Sequence, residues 1–310
     1  MGKTIEVLSP GSVANVGCGF DMMGFAVNGL GDHLVLTENH TDTLVIKPIK
    51  GYANSIPLDP EKNTAGVALM AMCKTLNISP GFNMEIEKKS PVGSGLGSSA
   101  SSTTAAVFAL NELLGRPFSS KMDLLPFALK GESLASGSYH ADNVAPSLLG
   151  GFLAIRSLDP VDLIEIPIPQ GLKVVLIHPH LEVLTKTARS LIPKTVPLKE
   201  VTAQMGNLAA FIMGMVNGDN ALLKRSFVDY LAVPYRAHLI PGFYEVKKAA
   251  EDQGAIGCSI SGSGPTVFAL LDKNQDSNKI AEAMVNEFKK IGIGTDCFFS
   301  EFNRDGVVCL

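Results

Sequence analysis

Residues Pro91-Val92-Gly93-Ser94-Gly95-Leu96-Gly97-Ser98-Ser99-Ala100-Ser101 constrain this chain more than any other segment. Three glycines at alternate positions lead into an alanine- and hydroxyl-rich stretch with helical character. Immediately upstream, Phe82, Met84 and Ile86 alternate with polar residues, which predicts a strand over 82–88. In a strand, glycine loop and helix in that order, backbone N–H groups can surround an anion. The helix N-terminus adds partial positive charge. A mere surface turn does not call for so long a glycine alternation, so the segment reads as a phosphate-binding loop for a nucleotide.

Two common nucleotide loops do not fit. The pattern G-x-x-x-x-G-K-[ST] needs a lysine that the segment from Gly93 to Ser98 lacks. The pattern G-x-G-x-x-G fails because Ser98 stands where the third glycine belongs. The acidic partner that such a fingerprint places roughly 20 residues on is missing too.

Composition narrows the partners. With 310 residues, 46% hydrophobic and 18% charged, the chain suits a globular protein with a substantial core, in one large or two ordinary domains. A net charge of -4 without a Lys/Arg block argues against nucleic acid as a partner. No apolar run approaches the roughly 20 residues that span a bilayer. The segment Met1 to Glu6 lacks the apolar centre of a secretory signal. The five cysteines, Cys18, Cys73, Cys258, Cys297 and Cys309, are scattered without a C-x-x-C pair. They read as reduced thiols, so the expectation is a cytoplasmic protein with no membrane contact.

Local pattern predicts a strand over 3–9 ended by Pro10 and Gly11, a glycine-rich loop to Gly24, and a strand from His33 to Glu38. Helices are expected from Glu61 to Leu76, where Ala65, Leu69, Met72 and Leu76 recur at helical spacing, from Ser98 to Leu114, and from Lys121 to Ala135. Asp159-Pro160 and the run Pro167 to Gly171 punctuate the chain and suggest two domains, 1–165 and 166–310. Beyond them come a strand at Lys173 to Ile177, a helical region from Leu198 to Tyr230 and a helix at Gly242 to Asp252. Strands near 255–260 and 266–271 flank Ser261-Gly262-Ser263-Gly264-Pro265, and a helix near 275–291 and a final strand near 295–302 follow. That order suggests an α+β sandwich.

The glycine loop resembles the second motif of the GHMP kinases. Ser9-Pro10-Gly11-Ser12-Val13-Ala14-Asn15-Val16-Gly17-Cys18-Gly19-Phe20-Asp21 resembles the family's first motif in the form carried by homoserine kinases. Ile256-Gly257-Cys258-Ser259-Ile260-Ser261-Gly262-Ser263-Gly264-Pro265-Thr266 resembles the third. The three lie in the family's order and spacing, and the likeness covers essentially the whole chain. It implies an α+β two-domain GHMP kinase fold: an N-terminal α/β (ribosomal S5 domain 2-like) domain and a C-terminal ferredoxin-like α+β domain. ATP would lie in the N-terminal domain, substrate between the two, and the protein would be a homodimer.

The resemblance also implies site residues. The ATP site would comprise Pro91, Val92, Gly93, Ser94, Gly95, Leu96, Gly97, Ser98, Ser99, Ala100 and Ser101, with Asn63 near adenine and ribose and Lys88 near the phosphates. Glu132 and Ser99 match the family's Mg²⁺ carboxylate and its hydroxyl partner. His140-Ala141-Asp142-Asn143-Val144-Ala145-Pro146 matches the H-x-D-N-x-x-P sequence of homoserine kinases, so His140 and Asn143 would face the amino acid L-homoserine. Asn15, His140 and Asn143 would orient the reacting hydroxyl, with Thr185 beside them. Asp21 suits the substrate ammonium, while Arg189 and Arg236 suit its carboxylate, which arginine can grip through two parallel bonds. Several GHMP kinases place an aspartate base where this chain has Asn143, and an amide cannot take up a proton near neutral pH. No dedicated strong base is therefore expected, and direct attack on the γ-phosphate follows. A kinase for another small alcohol and a silent nucleotide-binding regulator are the competing readings. His178-Pro179-His180 lacks a third ligand for a metal site.

Overall fold

A computed structural model of the protein describes residues 2–53, 56–136 and 140–310. Its first half is a long antiparallel hairpin, β1 (Thr4–Ala14) and β2 (Met23–Glu38), extended by short β3 (Val45–Ile46) and β4 (Lys50–Gly51). Helix α1 (Thr64–Leu76), β5 (Phe82–Lys88), α2 (Ser98–Leu113), a 3-10 turn at Lys121–Leu124, α3 (Leu125–Ser136) and α4 (Ala141–Leu149) follow. The hairpin β6 (Phe152–Leu158) and β7 (Val161–Glu165) joins the same sheet through β2. The helices pack over a core that includes Leu34, Leu36, Leu69, Met72, Met84 and Leu110. Helix α2 is buried on nearly every side, and its hydroxyls turn back onto carbonyls, as Thr104 Oγ1 does to Ala100 at 2.8 Å.

The second half forms a separate antiparallel sheet with strand order β11-β8-β10-β9. Its elements are β8 (Lys173–Pro179), α5 (Thr185–Ser190), α6 (Leu198–Asn217), α7 (Asn220–Ser226), α8 (Val233–Arg236), α9 (Phe243–Asp252), β9 (Gly257–Ile260), β10 (Val267–Leu271), α10 (Ser277–Lys290), β11 (Thr295–Ser300) and β12 (Val308–Cys309). Helices α9 and α10 cover one face through Phe243, Val246, Ile280, Met284 and Phe288. A second core, centred on Phe25, Phe152, Phe211, Phe227, Phe268 and Phe302, joins residues of both sheets. Edge-to-face pairs such as Phe25–Phe152, 5.6 Å between centroids, knit it together.

Four expectations need correcting. Pro10 and Gly11 do not end β1. The strand runs on to Ala14 across a register shift between those two residues, where an irregularity tolerates the missing N–H. Strand β2 begins at Met23 rather than His33; its first half is largely buried, so no polar alternation marked it. The chain does not end at β11, since β12 returns to pair with β1, Val7 opposite Cys309. The expected helical region from Leu198 breaks at Gly218, a left-handed C-cap with φ 63°, and Asp219 caps α7.

Candidate active site

The glycine loop joins β5 to α2, as its composition predicts. Gly95 and Gly97 sit at φ 79° and 66°, a left-handed region closed to most side chains. A Cβ on Gly95 would also run into the Ser261 carbonyl, and one on Gly97 into the Ser12 hydroxyl. The first and third motifs lock the loop. Ser12 N–H donates to Leu96 O at 3.0 Å, Thr266 N–H to Ser94 O at 3.1 Å, and Ser261 Oγ to Gly95 O at 2.6 Å. Gly262 N–H then ties the third motif to the first through Ala14 O at 3.1 Å. Gly97 is the N-cap of helix α2 and offers no side-chain cap, so the first N–H groups of the helix remain available to an anion.

This loop forms one wall of a cleft of about 410 Å³. Asn15, Asp21, Glu132, His140, Asn143, Thr185, Arg189 and Arg236 line the same cleft, although they span most of the chain. Asp21 and Arg189 Nη1 form an ion pair, each side chain more than a third exposed. Asp21 and Arg189, expected at opposite ends of a ligand, pair directly with each other. Arg236 is buried and donates to Ala188 O at 3.2 Å and Gly262 O at 3.1 Å, and burial lowers its pKa. Both guanidinium groups lie 5.3 Å from the Phe20 ring centre, within cation–π range. Thr185 Oγ1 reaches Ser263 Oγ at 3.3 Å and so ties α5 to the third motif.

Sequence reasoning missed several supporting groups. Asp229 accepts backbone N–H groups of Leu231, Ala232 and Val233 at 2.9, 3.0 and 2.7 Å and so fixes the start of α8, which carries Arg236. Asp142, the residue before Asn143, lines the cleft from the first turn of α4. Burial, reinforced by Asp21, pushes its carboxyl up to about 7. Burial also lowers the pKa of His140.

The two asparagines have partners within the protein. Asn15 donates to Gly262 O at 2.8 Å and accepts from Asp21 N–H at 3.0 Å, so it shapes the loop carrying Asp21. Asn143 Oδ1 accepts from the Ser12 hydroxyl at 2.9 Å, which turns its amide N–H₂ into the group left for a ligand.

Glu132 is buried in the cleft wall and hydrogen-bonds Ser99. Burial pushes its carboxyl up to about 7. A neighbouring cavity of about 260 Å³ shares Val92, Ser98 and Ser99 with the cleft and adds Asn63 and Lys88. There both residues are engaged within the protein. Asn63 caps α1, accepting from Ala65 N–H at 3.0 Å and Gly66 N–H at 3.3 Å, and donates to Pro57 O at 2.8 Å. Lys88 donates to Asp32 at 2.6 Å, to Ser102 at 2.8 Å and to Ser98 O, which occupies all three of its N–H groups. Leu96, Ala100 and Ser101 are buried behind the loop, and Pro91 O accepts from Ser94 Oγ at 2.6 Å, so these four support the loop from within. His178 and His180 turn to Thr266 and Asp296 at 3.2 Å each. Among the described residues no group of three or more His, Cys, Asp or Glu side chains is placed to hold a metal ion.

A phosphate loop on a helix N-terminus, facing charged groups from a second α+β layer, defines a small-molecule phosphotransferase. The family models for the N-terminal and C-terminal domains of GHMP kinases match residues 63–151 and 214–290. A homoserine kinase of Chlorobium phaeobacteroides is 43% identical across 99% of this chain and 100% of its own length. One from Arabidopsis thaliana is 40% identical, covering 93% of this chain and 80% of its own. The crystal structure of homoserine kinase from Cytophaga hutchinsonii superposes with a TM-score of 0.96 at 47% identity, covering 100% of this chain and 98% of that one. The chain belongs to the homoserine kinases of the GHMP kinase family.

Proposed function

We propose that the protein transfers the γ-phosphoryl group of ATP to the side-chain hydroxyl of L-homoserine, giving ADP and O-phospho-L-homoserine on the route to threonine. One observation carries this reading: the glycine loop and a charge set complementary to a zwitterion open onto the same cleft of about 410 Å³. Mevalonate, an anion, would leave Asp21 unanswered, and a neutral sugar would answer neither sign of that set.

Phosphoryl transfer depends mostly on position and charge neutralisation. The first turn of α2 and the N–H groups of the glycine loop hold the triphosphate. The substrate ammonium takes over Asp21 from Arg189, and the carboxylate binds the released Arg189 together with Arg236. The N–H₂ of Asn143 and the neutral imidazole of His140 orient the hydroxyl. Its oxygen bonds to the γ-phosphorus as the bond from phosphorus to the β,γ-bridging oxygen breaks, ADP leaves with that oxygen, and the hydroxyl proton passes to solvent water. Asn143 is an amide, so that side chain takes no proton near neutral pH. Glu132 and Ser99 offer the oxygen donors Mg²⁺ favours, and one carboxylate suffices when phosphates and water complete the shell. Bound there, the ion would neutralise charge on the phosphates.

The division of labour between residues 1–165 and 166–310 stays our reading, supported by the end of β7 at Glu165 and the start of β8 at Lys173. The homodimer and the cytoplasmic setting rest on resemblance and on scattered, unpaired cysteines. No helix among the described residues is long and apolar enough to cross a membrane. ADP release with L-homoserine, mevalonate and galactose in parallel tests the function. Turnover on homoserine alone is expected. Turnover on mevalonate without homoserine, or nucleotide binding without any turnover, contradicts it.

A further inference from the structure

Behind the phosphate loop lies a charged group that nothing in the reaction uses. Asp32, on β2, is fully buried and stands opposite Lys88 of β5 in the strand register. Its Oδ2 binds Lys88 Nζ at 2.6 Å and also accepts from the Ser102 hydroxyl. Lys88 donates onward to Ser102 Oγ at 2.8 Å and to the backbone carbonyl of Ser98, and Ser102 Oγ reaches that same carbonyl at 3.3 Å. Ser98 is the first residue of α2. Two strands are thereby bolted to the first turn of the helix whose N-terminus faces the cleft.

The electrostatics make this more than packing. A cation beside a helix N-terminus opposes the helix dipole. An apolar pair of similar volume often holds a core as well as a buried ion pair, so stability alone does not account for Lys88 at this place. What the ion pair adds is direction, because three hydrogen bonds fix the Ser98 carbonyl and the Ser102 hydroxyl in one arrangement. Ser98 lines both the cleft and the neighbouring cavity, as does Ser99, the hydrogen-bond partner of Glu132.

We propose that Asp32, acting through Lys88 and Ser102, is a positioning residue that sets the first turn of α2 for the triphosphate, and that Lys88 works from behind the loop without touching phosphate. This rests on the reading of the loop as the ATP site. The two roles for Lys88 give opposite predictions. If Lys88 contacts phosphate, Asp32→Asn frees its ammonium and ATP binds as well as before or better. If Lys88 positions the helix, Asp32→Asn and Lys88→Met do the same damage.

The test is calorimetric binding of a non-hydrolysable ATP analogue, beside steady-state kinetics, for Asp32→Asn, Lys88→Met, the double variant and Ser102→Ala. Each single charge variant is expected to weaken analogue binding by about 10–100-fold, the scale of a displaced positioning element. The double variant is expected to be no worse than the worse single one, with KM for homoserine changed less than about threefold in all of them. Ser102→Ala removes only a hydroxyl and leaves the ion pair in place, and its loss in analogue affinity is expected at about 3–10-fold with the fold retained, so the proposal stays testable if the charge variants do not fold. Wild-type affinity in folded Asp32→Asn, or in Ser102→Ala, overturns it. Failure of the unmodified protein to bind the analogue would sink the assignment of the ATP site instead.

Discussion

The two ends of the cleft are built differently. At the phosphate end, backbone atoms do the work: left-handed glycines, three interlocking motifs and a helix N-terminus give a site shaped before any ligand arrives. At the substrate end, side chains do it, and two of the charges are paired with each other in a partly exposed bridge. A preformed site avoids the penalty of ordering itself on binding, which suits a nucleotide whose phosphates look alike in every kinase. An exchangeable ion pair charges a penalty that only a ligand with both signs of charge can meet. On the proposed reading, affinity would reside at one end and discrimination at the other.

Substitutions at each end should separate in their kinetics. The largest effect is expected from Glu132→Gln, a loss in kcat of about 10³-fold, the upper range for removing one group that stabilises the transition state. Measured with saturating substrates, it should leave KM for homoserine nearly unchanged. Gly95→Ala comes next. A side chain at φ 79° facing the Ser261 carbonyl strains the loop by about 1–3 kcal/mol or more, so analogue affinity should fall at least tenfold while homoserine affinity holds. Arg236→Ala should show the reverse split, a rise in KM for homoserine of about 30-fold or more, because it truncates a buried, hydrogen-bonded charge. Arg189→Ala, partly exposed and paired, should cost less. If Arg236→Ala instead moved KM for ATP alone, the division between the two ends would be wrong.

Acidity offers a smaller and more graded test. Glu132 and Asp142 have native pKa values raised to about 7 by burial, above the ordinary carboxylate range. The native state thus takes up these protons more readily than the unfolded chain. The ligand-free protein should gain stability as pH falls through about 7, the gain being complete once the unfolded carboxyls are protonated too. Turnover should run the other way, because protonated Glu132 is a poor metal ligand. In Glu132→Gln the melting temperature should depend less on pH across that range. The smallest effect is expected from Asn143→Asp, which should change turnover only modestly. A large gain with a new acidic limb in the pH profile would show that the reaction is limited by a missing base.

The same contrast explains what was legible in the sequence. The phosphate end is local: strand Phe82–Lys88, the loop and helix Ser98–Leu113 are contiguous, and glycine alternation carries a steric meaning that survives without a structure. The substrate end joins Asp21 to Arg189 across 168 residues, and only motif resemblance drew those residues together. What stayed hidden had no local signature. Nothing around Lys88 announces that Asp32 would occupy it, and nothing around Asn143 announces Ser12. The first half of β2, largely buried, carries no alternation to read.

The most direct test is a crystal structure with a non-hydrolysable ATP analogue and L-homoserine bound together. The account predicts the phosphates against residues 93–99, the substrate ammonium at Asp21, and its carboxylate on Arg236 with Arg189 swung away from Asp21. Phosphates bound elsewhere, or an intact bridge between Asp21 and Arg189 with homoserine in the cleft, would contradict it.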